Sequence, residues 1–314
     1  MNLKQLLKKI PFIEEYAERR DYEKKPNLRL LSLEEKKKAL MDKYERKLGY
    51  RMDIEHPKTF TEKLQWYKLY FEGDGHLERL VDKCLMKEYV KEKLGEGHTI
   101  PLIGAWTNIE DLEKDWSNLP EEFCLKSTLQ SEAKCIKFIH NKSSIDFKSL
   151  KKEVKQWFLF KNTLANSYCR AYTNALPRVL AEQYLENVNN QLFDYKLFCF
   201  DGKPFCAYVA QEHFSEKGST ITFYDLEWNK LNVQYGTHEV GNMPKPKHWE
   251  EMIEIAKKLS AGFPHIRVDF FDTDKKLYVA ELTLYPGGGY SKYNPESFNE
   301  TMGNLFKLSI HNSK

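Results

Sequence analysis

Apolar residues recur at helical spacing through roughly the first eighty positions and in short alternating runs through most of the remaining chain. Leu3, Leu6, Leu7 and Ile10 fall three to four apart, with Lys4, Lys8 and Lys9 beside them. Such a basic amphipathic segment packs on the body of a protein or on a partner, or rests weakly on a membrane surface. From Ser32 the chain reads SLEEKKKALMDKYERKLG. This is a Ser-x-x-Glu capping box that opens a helix and a glycine, Gly49, that stops it. HPKTFTEKLQWYKLYF, His56 to Phe71, predicts a helix capped by Thr61 and carrying Leu64, Trp66, Tyr67 and Tyr70. Leu80 to Gly95 predicts one more short helix.

Beyond it the pattern changes. TIPLIGAW, EEFCLKST and AKCIKFI are short and strand-like, and Ser149 to Asn162 returns to helix. PRVLAEQYLE, DYKLFCFDGKPFCAYVAQ and STITFYDLEWNKL then read as strands, with Asp201-Gly202 marking a hairpin. HWEEMIEIAKKLSAG places Met252, Ile255, Ala256 and Leu259 on one helical face and Gly262 at its end. This order predicts an α+β fold with an antiparallel sheet, not a βαβ winding. No G-x-G-x-x-G and no G-x-x-x-x-G-K-[ST] occurs, so dinucleotide and P-loop readings lack their fingerprint.

The last two predicted strands carry polar residues inside apolar runs. In HIRVDFF, Ile266, Val268 and Phe270 share one face, Arg267 and Asp269 the other. In LYVAELTL, Glu281 and Thr283 lie opposite Ala280 and Leu282. With the appropriate register, Asp269, Glu281 and Thr283 converge, a hard-oxygen set suited to Mg²⁺. Arg267 beside them could hold an anion bidentately. The same residues could equally form the solvent-facing side of a two-sided strand pair. The YPGGGY immediately after is either a place of close approach to a ligand or a flexible turn.

The remaining composition narrows the classes. A length of 314 residues allows one large domain or two to three small ones. A net charge of +3 gives no reason to expect a nucleic-acid partner. No apolar run approaches the length of a transmembrane span, and the first residues lack the pattern of a signal peptide. The six cysteines are scattered without a C-x-x-C pair, as in a reduced cytoplasmic protein. No Ser-His-Asp or Cys-His arrangement stands out, and His213 and His265 read as structural.

Several segments, taken in order, resemble the ATP-grasp superfamily and within it the TupA-like group of polysaccharide biosynthesis. HPKTFTEKLQWYKLY is similar to the opening motif and VDKCLMKEYVKEKLG to the Asp-Lys helix. EEFCLKST resembles the strand ending in a phosphate-binding lysine, PRVLAEQYLE the hinge, and RVDFF with LYVAELTLYPGGG the metal-binding hairpin. The likeness covers roughly Leu48 to Pro295. It implies two α+β subdomains clamping ATP behind a helical N-terminal region, divided as residues 1–80, 81–185 and 186–314.

By the resemblance, Lys83 and Lys126 hold phosphates, Glu182 meets the adenine amino group, and Gln183 and Leu185 offer backbone contacts to the base. Asp194 holds the ribose, and Lys196 on the same strand face reaches a phosphate. Asp269 and Glu281 bind Mg²⁺, with Thr283 a weaker third ligand where many relatives have Asn. Arg267 lies by the transferred phosphate and, with Lys126, carries the catalysis. One departure stands out: Ser127 to Phe138 contains no glycine where the family carries a glycine-rich loop over the phosphates. Glu132 there is unhelpful, and Lys134 and Lys137 would compensate. The implied activity joins a sugar carboxylate to an amine or amino acid at the expense of ATP. The alternatives are phosphoryl transfer to a glycan hydroxyl, or a silent nucleotide- or glycan-binding scaffold, and in any of these the protein could associate weakly with membrane-bound polysaccharide machinery. Acceptor contacts are expected from Asn162 to Leu176 and from Tyr290 to Tyr293.

Overall fold

A computed structural model describes residues 31–129, 135–158, 169–172, 175–185, 193–212, 219–273 and 275–308. The basic segment around Leu3 to Ile10, His213 and most of Asn162 to Leu176 lie outside these. Helix α1 (Leu33–Leu48) has the expected capping box, the Ser32 amide donating to Glu35 at 2.8 Å, and ends at Gly49 with φ 90°. Helix α2 (Phe60–Tyr70) is capped by Thr59, not Thr61. Thr61 is buried two residues on, where its amide donates to Asn299 Oδ1 at 3.1 Å and its hydroxyl meets Tyr44. The helix expected from Leu80 is two, α3 (Glu78–Val81) and α4 (Lys83–Leu94). Asp82 between them is extended, and its carboxylate accepts from the Cys84 and Leu85 amides as the cap of α4.

The first sheet holds β1 (Leu102–Trp106), β2 (Phe123–Ser127), β3 (Ile136–Ile139) and β4 (Val179–Glu182) in the order β1-β4-β2-β3, every pair antiparallel. Phe123, Leu125, Ile139, Val179 and Ala181 turn one face onto α5 (Ile109–Asp115) and α6 (Phe147–Trp157), where Leu112, Leu150, Val154 and Trp157 complete a core. Helix α6 begins at Phe147 behind the Asp146 cap, two residues earlier than its sequence suggests, and the expected part beyond 158 lies outside the described residues.

The second sheet is larger. Strands β5 (Asp194–Phe200), β6 (Lys203–Glu212) and β7 (Ser219–Tyr224) are joined by β9 (Ile266–Asp272) and β10 (Leu277–Thr283) in the order β10-β9-β5-β6-β7, all antiparallel. Asp201 and Gly202 both take positive φ, 49° and 72°, as a tight hairpin turn requires. A ribbon of β8 (Gln234–Tyr235) and β11 (Tyr293–Asn294) flanks the sheet. Helix α7 (Trp249–Ser260) buries Met252, Ile255, Ala256 and Leu259, the face its spacing predicts. His265 is fully buried among Phe60, Phe198, Phe200 and Phe306. Burial holds its imidazole at about 3, so it is neutral, with Nδ1 facing the Cys199 carbonyl at 3.0 Å.

Helix α8 (Glu296–Leu305) lies on the start of α2. The contact is made by absence: a Cβ on Gly303 would stand 2.4 Å from the Lys58 carbonyl oxygen and 2.9 Å from the Phe60 nitrogen. Alanine in a helix interior ordinarily gains about 1 kcal/mol over glycine. Here Gly303→Ala should instead cost about 1–3 kcal/mol, because backbone has to move. Urea denaturation gives the sign directly, and an unchanged or raised midpoint contradicts this packing.

Candidate functional site

Strand β10 changes phase in its middle. Val279 stands opposite Phe270, but Glu281 stands opposite Asp269, and a bulge at Ala280 absorbs the extra residue. Leu277 and Val279 therefore face the core before the bulge, and Leu282 and Leu284 after it. Without the slip, Glu281 and Thr283 would share the face of Val279, away from Asp269. With it, Thr283 stands opposite Arg267. Lys196 pairs on its other sides with Asp269 and Tyr208. Tyr208, Lys196, Asp269 and Glu281 thus form one row across four strands.

The row carries a buried charge cluster. Asp269 is 1% exposed. Arg267 donates to it twice, Nε to Oδ1 at 2.7 Å and Nη2 to Oδ2 at 2.6 Å. Lys196 Nζ approaches Oδ2 at 2.8 Å and also touches Asp194. The remaining Arg267 donors reach Thr283 Oγ1 at 3.2 Å and the Tyr208 hydroxyl at 3.1 Å. Burial alone would raise the Asp269 pKa, but Arg267 and Lys196 outweigh it and hold the carboxyl below its usual range. For Asp194 burial prevails and the pKa is raised. Its Oδ1 is buried with no hydrogen-bond partner.

The first sheet supplies the opposite wall. Phe138, Cys124, Glu182 and Leu102 pair side by side on the face turned away from α5 and α6. Glu182 is 3% exposed and contacts both Lys126 and Lys87, the latter at 2.9 Å. Burial would raise its pKa, yet the two ammonium groups bring it below the ordinary glutamate value. Lys126 is in turn held charged, because Glu182 offsets its burial. Two large apolar side chains in this row stay exposed, Leu102 at 45% and Phe138 at 51%. Lys83, the first residue of α4, joins the two walls, its Nζ lying 3.8 Å from Glu281 Oε1. Lys126 also lies within electrostatic reach of Glu281.

The expected residues therefore divide into two groups that face each other. Arg267, Asp269, Glu281, Thr283, Asp194 and Lys196 stand on one sheet, Lys126 and Glu182 on the other, with Lys83 between. Two expectations change. The Gln183 amide donates to the Pro101 carbonyl at 3.0 Å and is not free for a base; Leu185 is half-buried nearby. Lys137 pairs with Glu153 of α6 at 2.5 Å, on the far face of its sheet, and so supplies no cation to the cleft. Arg267 is already held by Asp269 through two of its donors. The loop residues 130–134, with Glu132 and Lys134, lie outside the described residues.

Sequence reasoning missed Lys87 and Arg178. Lys87 stands one helical turn after Lys83, a spacing that puts both on one face of α4. Arg178 Nη1 donates to Asp82 at 2.7 Å and so fixes the cap that starts that helix.

A family model described as TupA-like ATPgrasp matches residues 62–307. The chain belongs to the TupA-like ATP-grasp family. Among solved structures it is similar to a D-alanine–D-alanine ligase from Bacillus anthracis complexed with ATP, at 16% identity and TM-score 0.40, over 65% of this chain and 55% of that one. A D-alanyl-alanine synthetase A from Vibrio cholerae aligns at 12% identity and TM-score 0.42, over 74% of this chain and 62% of that one. A carboxyaminoimidazole ribonucleotide synthase from Aspergillus clavatus complexed with ATP aligns at 11% and 0.39, over 67% and 46%. The aligned part is thus under two thirds of each of these proteins. No curated protein matches the sequence significantly.

Membership of the ATP-grasp family implies Mg²⁺, and the donors present suit a hard cation. Asp269 and Glu281 oppose each other in one row, next to the Thr283 hydroxyl. Among the described residues no group of three or more His, Cys, Asp and Glu is placed to chelate a metal. A divalent ion held here would complete its shell from phosphate and water, as Mg²⁺ commonly does.

The cluster has a pH consequence. In Lys196→Met, Asp194 and Asp269 remain buried together with one cation fewer, so one carboxyl keeps its proton in the folded state above the unfolded pKa. An acid raised in this way stabilises the fold at low pH and loses that contribution as pH rises. In metal-free buffer, the urea midpoint of Lys196→Met should fall more steeply than that of the wild type between about pH 5 and about pH 8. Parallel curves rule out the coupling.

Proposed function

We propose that this TupA-like ATP-grasp protein is an ATP- and Mg²⁺-dependent carboxylate–amine ligase, with a uronic-acid-containing surface polysaccharide or its precursor as carboxylate donor. The observation that carries the reading is the convergence of Lys126 from one wall, and of Lys83 between the walls, on Glu281 of the other, beside the Arg267–Asp269–Lys196 cluster. Cations and hard-oxygen acids facing each other across a cleft suit a nucleoside triphosphate. The clamp would close between residues 81–185 and 186–314.

In this reading Leu102 and Phe138 offer apolar surface to the base near Glu182, and the unpartnered Asp194 oxygen accepts from a ribose hydroxyl. Lys83 and Lys126 hold the phosphates. A substrate carboxylate oxygen attacks the γ-phosphorus and ADP departs, leaving an acyl phosphate. The amine nitrogen then attacks the acyl carbon, loses a proton and expels phosphate. Arg267, already oriented by Asp269 and Tyr208, stands where charge develops on the transferred group. Mg²⁺ held by Asp269 and Glu281 supplies neutralisation of phosphate charge when bound. No side-chain nucleophile is needed; Cys124 in the cleft wall is pushed up to about 11 by burial and is not a thiolate.

Mg²⁺–ATP should raise the thermal midpoint of the wild type. Lys126→Met should weaken nucleotide binding about 10- to 100-fold, the loss of a charge-assisted contact. Asp269→Asn should lose turnover, and Glu281→Gln, which leaves the buried Arg267–Asp269–Lys196 cluster intact, should lose it while keeping the fold. A ligase forms ADP and phosphate only when both a carboxylate and an amine are supplied. Turnover with glycan alone, leaving phosphate on the sugar, overturns the ligase assignment, and unchanged ATP affinity in Lys126→Met overturns the cleft.

A further inference from the structure

A second cavity of about 850 Å³ lies beyond the charged row, between the start of α2, the ribbon of β8 and β11, and α8. Its size is within the range of small-molecule sites, and its walls mix polar and apolar surface. Gln234, Lys292, Asn294, Glu300 and Asn304 line it, and among the described residues none of their side chains is engaged in a hydrogen bond or ion pair. Tyr50 is 39% exposed at its rim, and its hydroxyl meets Tyr44 at 2.6 Å, which fixes the ring. The charged lining side chains are Lys58 and Lys292 against Glu62, Glu296 and Glu300, a balance that does not attract a polyanion. Amide donors and acceptors uncommitted to the protein, beside an amphipathic ring held in place, match a ligand with many hydroxyls and an apolar ring face.

The cavity adjoins the cleft through three side chains. Ser291 is in its wall and meets the Tyr235 hydroxyl at 2.5 Å. Tyr235 packs on Tyr208 with ring centroids 5.7 Å apart, and Tyr208 accepts from Arg267.

We propose that this cavity binds an uncharged, hydroxyl-rich oligosaccharide segment, the neighbours of the sugar whose carboxylate reacts in the cleft. The proposal rests on the ligase reading for the second half of that statement and on the cavity alone for the first. Its chemistry separates the two sites: charge is recognised at the row of Asp269, neutral hydroxyls at Gln234 and Asn304.

An array of bacterial surface oligosaccharides, probed with the full-length protein, tests it. Wild type should bind glycans that contain neutral hexose or N-acetylhexosamine units. The double variant Gln234→Ala/Asn304→Ala, and separately Tyr50→Ala, should lose roughly tenfold or more in affinity for those glycans, the worth of one or two hydrogen bonds or a stacked ring. Both should retain wild-type Mg²⁺–ATP stabilisation. Binding of no glycan on the array, or binding that survives these substitutions and disappears in Lys126→Met, overturns the proposal. Absent nucleotide binding in the wild type overturns the cleft reading and leaves the array result standing on its own.

Discussion

A carboxylate with almost no exposure to water constrains this protein more than any other group. Asp269 is held in the sheet interior by Arg267 and Lys196, and removing either partner from such a pair typically costs roughly 3–5 kcal/mol. The need to satisfy it explains much nearby. Arg267 is oriented by both Asp269 oxygens, with Tyr208 and Thr283 taking its remaining donors. Lys196 is held charged in spite of burial because Asp194 and Asp269 flank it. The register of four strands is pinned by the row they form, since a one-residue slip would send the whole set to the apolar face.

The same logic recurs across the cleft. Glu182 is a single buried acid between two lysines, whereas Asp269 and Asp194 share one lysine and an arginine. The acids and cations of the larger sheet's cluster balance, with Glu281 a further acid beside them, while the smaller wall holds one cation more than acid, and Lys83 between the two adds another. Lys83 meets Glu281 at 3.8 Å, near the outer limit of an ion pair, between two partly buried side chains. A weak link at the mouth of a cleft whose walls are rigidly held is the arrangement in which an entering polyphosphate displaces little.

Much of this was legible. The capping box at Ser32, the Asp201-Gly202 hairpin, the buried face of α7 and the unusual polarity of IRVDFF all follow from local rules, and the family likeness adds order to pieces that are weak alone. The features that escaped were set by tertiary contacts or by a break in period. Thr59 and Thr61 are equally good caps in sequence; Asn299, more than two hundred residues away, takes the Thr61 amide and decides between them. Lys137 could face either way on a strand, and Glu153 of α6 settles it. The bulge left a trace: the apolar positions Leu277, Val279, Leu282 and Leu284 step by two, then three, then two. Strict alternation over the whole strand hides that slip.

The slip also explains why Ala280 sits where it does. At the bulge an extra residue has no partner across the ladder, and a small side chain fits the crowded bend. Moving the extra residue ahead of Val279 would leave Glu281 opposite Asp269 but turn Val279 off the core face, and moving it past Glu281 would set Glu281 opposite Val268 instead of Asp269. The second carboxylate of the cleft therefore depends less on the identity of Glu281 than on one irregularity directly after Val279, which packs on the core. Strand pairing and site chemistry are in this way the same constraint, read once through hydrogen bonds and once through charge.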